Sequence, residues 1–91
     1  MEEQIPPHIL AHVMTCAAEM GAIAGLISAG KLKPYLSKSQ AFRRYGRARV
    51  ERWLAKDLIA PRKDGNHSAQ WRIDRLEIAC LEKAEYLLRI L

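Results

Sequence analysis

A chain of 91 residues with 49% hydrophobic content, 27% charged residues and a net charge of +5 is one small folded domain rather than a mainly disordered polymer. Residues 31–75 hold 13 Lys and Arg against 4 Asp and Glu, a charge of +9, while residues 1–30 carry −3 and residues 76–91 carry −1. Such a basic centre between weakly acidic ends points to a local polyanion site rather than to charge spread for solubility.

The first predicted element spans residues 9–29, mostly Ala, Ile, Leu, Met and Gly, a stretch long enough to raise the question of a membrane span. His12 and Glu19 lie inside it, small residues dominate it, and a carboxylate near mid-bilayer is costly. A soluble packing or dimerisation helix is therefore expected, starting after Pro6 and Pro7 and ending near Gly30. Gly21 and Gly25 form G-x-x-x-G one turn beyond Ala17, which lets a second helix approach closely. His8, His12 and Cys16 share one face at i, i+4 and i+8, a spacing open to zinc. They lack a second ligand pair, and no metal or cofactor is expected. Cys16 and Cys80 read as reduced thiols, and with no secretory start in sight the chain is expected in the cytoplasm.

Lys33, Pro34, Tyr35 and Leu36 should be extended, because the residue before proline avoids the helical region. Ser37 then reads as an N-cap, with Gln40 completing a capping box, and a short helix follows over residues 38–45 with Ala41 and Phe42 inward. Gly46 supplies a turn of positive φ. A second helix is predicted over residues 47–56, burying Val50, Trp53 and Leu54 and turning Arg47, Arg49, Arg52 and Glu51 away. Arginine suits such a face because its planar fork grips phosphate or a guanine edge through two hydrogen bonds. Arg47 and Arg49, near the helix start, are the candidates for base edges; Arg43 and Arg44 are candidates for phosphate positioning. The other reading of these residues is an ordinary charged solvent face.

Asp57 is expected in the left-handed position that ends this helix. Leu58 and Ile59 read as a strand with Pro61 at its edge, residues 62–68 as a polar hairpin tip and residues 70–73 as the return strand. The hairpin would be a basic wing, with Arg62, Lys63 and His67 set for phosphates or a minor groove. Trp53 and Trp71 read as core anchors. Asp74 with Glu77 forms a second N-cap and capping-box pattern, opening a helix to the chain end whose apolar seam is Leu76, Cys80, Ala84, Leu87 and Leu91, widened by Ile78, Leu81, Leu88 and Ile90.

The segments Ser37 to Ala41, Tyr45 with Gly46, Val50 to Trp53, Leu58 to Pro61, and Arg72 to Asp74 with Leu76 resemble the winged helix-turn-helix of excisionase-like and MerR-like proteins. The resemblance covers about residues 35–78 and extends to small phage-derived or mobile-element proteins in which an apolar helix precedes the module. It implies DNA contact through the second helix and the wing, hence by Arg47, Arg49, Arg52, Arg62 and Lys63. Asp57 stands where that class usually has glycine. No effector domain of the metal- or drug-sensing type is recognised, so no small-molecule effector is expected.

The expected fold is mainly α with a small β-hairpin wing. Its parts are an N-terminal helical segment (1–34), the winged helix-turn-helix (35–75) and a C-terminal helix (76–91). The expected function is non-enzymatic binding of double-stranded DNA, in transcriptional regulation or excisionase-like recombination control. The alternative is a structural or protein-interaction module, such as a phage packaging component. No nucleophile–base pattern, phosphate-cradling glycine loop or paired carboxylates suggest an enzyme. The terminal helices offer more apolar surface than one small core needs, so a homodimer without membrane attachment is expected, which would place two recognition helices on half-sites one DNA turn apart.

Overall fold

The computed structural model describes residues 4–63 and 71–91, with backbone alone at Lys63 and Trp71. Seven elements follow one another: α1 (Pro7–Ser28), β1 (Tyr35–Ser37), α2 (Lys38–Tyr45), α3 (Arg47–Ala55), β2 (Arg62–Lys63), β3 (Trp71–Asp74) and α4 (Arg75–Ile90). The fold is mainly α with a small antiparallel β-hairpin, as the sequence led us to expect.

Local chemistry sets the boundaries. Pro7 opens α1, where its missing N–H has no partner to lose. Gly30 at φ 76° closes it, with the N–H groups of Gly30 and Lys31 donating to Ile27 and Leu26 carbonyls in a Schellman pattern. Ser37 caps α2 through the complete capping box with Gln40. Gly46, at φ 96° and ψ 134°, is all that separates α2 from α3. A residue with a Cβ is strained in that region.

Asp57 takes φ 57° and its N–H donates to the Leu54 carbonyl, while that of Leu58 donates to Trp53. This is again a Schellman closure, with aspartate where glycine is commonest. Asp57→Gly is therefore expected to stabilise the fold by roughly 0.5–1 kcal/mol, since it removes a left-handed strain larger than the entropy it adds to the unfolded chain. Urea unfolding with an unchanged m-value is the check; destabilisation would mean that the aspartate side chain contributes something the backbone argument omits.

Two expectations need correction. The strand expected at Leu58 and Ile59 is irregular backbone, and β2 begins only at Arg62. The reason is local. Leu58 N–H is taken by the helix end, Ala60 N–H donates to the Glu77 carboxylate at 3.1 Å, and Pro61 has no N–H. Glu77 therefore serves Ala60, so Asp74 caps α4 without a closed box, accepting from the N–H groups of Leu76 and Glu77. The segment before α2 is extended as expected, and it also joins the hairpin as a strand, giving the order β1-β3-β2. Leu36 pairs with Ile73 on the inner face; Ser37, Arg72 and Arg62 align on the outer one.

The core consists of Leu36, Ala41, Val50, Trp53, Ile59, Ile73 and Ile78, with Phe42, Tyr45, Leu54 and Leu81 packed around it. Trp53 is fully buried, as expected of a core anchor; the Trp71 side chain lies outside the described residues, as do Asp64 to Gln70 of the hairpin. α4 buries Ala79 and Ile78, the latter one of the residues expected to widen the seam, and not the seam itself. Cys80, Ala84 and Leu91 of that seam are exposed and Leu76 and Leu87 half-buried. α1 packs along α4 but buries only Ile9 and Cys16. Its small-residue face is not the contact: a Cβ at Gly21 or Gly25 would meet nothing within 4 Å.

Candidate nucleic-acid interface

α2 and α3 meet across the Gly46 turn, and burial of Val50 and Trp53 decides which face of α3 looks outward. At 100° per residue, that face holds Arg47, Ala48, Glu51, Arg52 and Ala55, all exposed. Arg47 lies over the Phe42 ring at 5.5 Å and pairs with Glu51 at 3.2 Å. Both partners of that pair are mostly solvated, so it contributes little to stability and yields readily to another anion.

Arg43 and Arg44 are exposed in the last turn of α2. With Gln40, Leu36 and Arg75 they line a shallow groove of about 330 Å³. Arg75 is fixed there by donating from Nε to the Lys33 carbonyl at 2.7 Å. In the sheet, Arg62 lies directly across from Arg72. Lys63 contributes its described backbone to β2, and His67 lies outside the described residues.

Arg49 is placed differently from its expected role. Its guanidinium stacks over the Trp53 ring at 4.9 Å and pairs with Glu85 at 3.3 Å and Glu82 at 3.9 Å. Arg52 reaches the same Glu85 at 3.3 Å, and the Trp53 indole N–H donates to its other oxygen at 2.8 Å. Glu85 thus ties three groups of α3 to α4. The indole hydrogen bond holds its carboxyl below the usual carboxylate range against partial burial, with Arg49 and Arg52 adding to the effect. From Glu82 the pairing continues through Lys83, at 3.7 Å, to Glu19 of α1, at 3.2 Å. Burial opposes the charge on Lys83, but the hydrogen bond and charge of Glu19, with Glu82, outweigh it and raise its pKa.

Glu82, Glu85, Arg72 and Arg75 were not singled out from the sequence. One signal was present: Arg49 and Arg52, three apart on one helix, match Glu82 and Glu85, three apart on another.

The zinc-compatible trio disperses. His8 is exposed, His12 Nδ1 and the Tyr86 hydroxyl share a hydrogen bond at 2.8 Å, and Cys16 is a buried free thiol. Among the described residues no group of three His, Cys, Asp or Glu side chains is gathered for a metal. Comparison with protein-family models, with curated proteins and with solved structures finds no match.

Proposed function

We propose that this chain binds duplex DNA without catalysing a reaction on it, through the outward face of α3, the end of α2 and the wing. The observation that carries the reading is the charge imbalance of that surface. Arg43, Arg44, Arg47, Arg52 and Arg62 are exposed there, and on the outer face of α3 only Glu51 is acidic. Arg43 and Arg44 suit phosphates beside the α2 groove, and Arg47, at the start of α3, is the residue best set for a base edge. Regulation of transcription or control of recombination is the biological role that such a module would serve.

Fluorescence anisotropy on random duplex across a salt series tests it. Wild type should show log affinity falling linearly with log salt, and an Arg43→Ala/Arg44→Ala/Arg47→Ala variant should flatten that slope by about 2, for its two phosphate contacts, while weakening binding on all sequences. A flat, weak response in both proteins would sink the proposal. The second reading, a protein-interaction module, draws support from the pairing of Arg49 and Arg52 with Glu85, which withdraws cationic charge from α3; that flat result would favour it.

A further inference from the structure

The contacts between α1 and α4 fix how the pair is oriented. His12 meets Tyr86 and Glu19 meets Lys83, so the order of contacts reverses and the helices are antiparallel. In an antiparallel pair, turning in the same sense about either axis leads to the same side. One side holds a cleft of about 290 Å³ whose lining includes Thr15, Arg49, Glu82 and Arg89. By helical phase, the other side carries Leu10, Val13 and Ala17 of α1 beside Cys80, Leu87 and Leu91 of α4. Leu10 is 44% and Leu91 78% exposed, and Ala17 and Cys80 are exposed. This is a continuous apolar strip two helices wide.

We infer that this strip is the interface for a second copy of the chain, the two α1–α4 pairs closing into a four-helix arrangement. The strip carries no Asp, Glu, Lys or Arg, and the one such residue in α1, Glu19, pairs with Lys83. A charged or polar partner would therefore find nothing to pair with, whereas a second copy presents the same uncharged strip. Small residues at Ala17 and Gly21 let two helices approach closely. α4 has 16 residues, so the strip is about 24 Å long; at about 18 Å wide its plan area is about 430 Å², and its side-chain relief brings it toward the ~800 Å² that each partner of a stable interface contributes. α1, at 22 residues, is long and apolar enough to cross a bilayer. Insertion, however, would take Glu19 and His12 into hydrocarbon or strip them from Lys83 and Tyr86, at a cost that pairing with another copy avoids.

Sedimentation of the full chain at tens of micromolar, without nucleic acid, tests the inference separately from DNA binding. Wild type should run at twice the chain mass. Ala17→Glu, which places a charge in the strip, should run at the chain mass with unchanged helical circular dichroism. Ala18→Glu, on the outward side of α1, should remain dimeric. A Cβ at Gly21 meets nothing within 4 Å inside one copy, so Gly21→Ala, which also favours the helix, should lose association only through a clash between copies and not through unfolding. A monomeric wild type, a dimeric Ala17→Glu protein, or a monomer that floats with phosphatidylcholine vesicles would each overturn it.

Discussion

Trp53→Ala is expected to remove about a third or more of the folding stability at 25 °C. The side chain is fully buried at the centre of the cluster joining α2, α3, the sheet and α4. Its ring also stacks edge-on against Tyr45 at 5.9 Å. Removing a buried tryptophan costs about 3–5 kcal/mol through lost burial and the cavity left behind. A small domain has a total stability of only about 5–10 kcal/mol. The variant also strips Glu85 of its indole donor and Arg49 of its stacking surface, so the α3–α4 contact loses its centre. Trp53→Phe separates the two contributions: it keeps most of the volume and loses the N–H, and should cost about 1–3 kcal/mol. Urea denaturation followed by circular dichroism is the measurement. If Trp53→Ala folded with near-normal stability but lost nucleic-acid affinity, the residue would be a stacking platform and its place in the core would carry little weight.

How much of this was legible depends on the range of the forces involved. Ser37 with Gln40, Gly46, Asp57 and the Asp74 cap were read correctly because each is a backbone problem solved within four residues. The buried pair Val50 and Trp53 also came directly from helical spacing. Residues 35–37 were read as extended, but their pairing into the sheet was not, because the partner of Leu36, Ile73, is 37 positions away and three residues have no periodicity to read. The error at Leu58 and Ile59 has the same origin. Their β-favouring side chains are real, but the Schellman closure and the Glu77 carboxylate take the N–H groups a strand would need. On α4 the apolar residues cover more than half the circumference, so spacing alone could not tell the face packed on the core from the one left outward. That leftover face is what makes the expected seam informative. It marks surface that one copy does not cover. Arg49 was expected to face solvent because charge usually does; its stacking on Trp53 and pairing across to α4 are tertiary and overrode that preference.

Replacing Glu85 by glutamine is expected to raise affinity for random duplex DNA, with the fold retained. Glutamine preserves an oxygen to accept the Trp53 N–H, so the α3–α4 contact keeps its neutral hydrogen bond, while Arg49 and Arg52 lose the anion that now holds them at 3.3 Å. If one of the two arginines gains a phosphate, the log–log salt slope should steepen by about 1, which amounts to about tenfold in affinity at 0.1 M salt relative to 1 M. The same carboxylate gives a pH signature. Its pKa in the folded protein is lowered, so its contribution to stability is complete above the ordinary glutamate value of about 4.3 and is lost as pH falls below that value. Wild type should therefore lose thermal stability on acidification below about pH 4.3 more steeply than Glu85→Gln, which has no charge to lose there. Anisotropy at three salt concentrations and melting curves from pH 3 to pH 7 measure both effects. Unchanged affinity together with a shifted acid limb would leave Glu85 as a stability clamp and remove Arg49 and Arg52 from the nucleic-acid surface. Unchanged behaviour in both would mean that the ion pairs across α3 and α4 are solvated contacts of no consequence. A gain in affinity with the steeper slope would show that α4 restrains the cationic face of α3, so that charge on the C-terminal helix sets how strongly this small protein engages a polyanion.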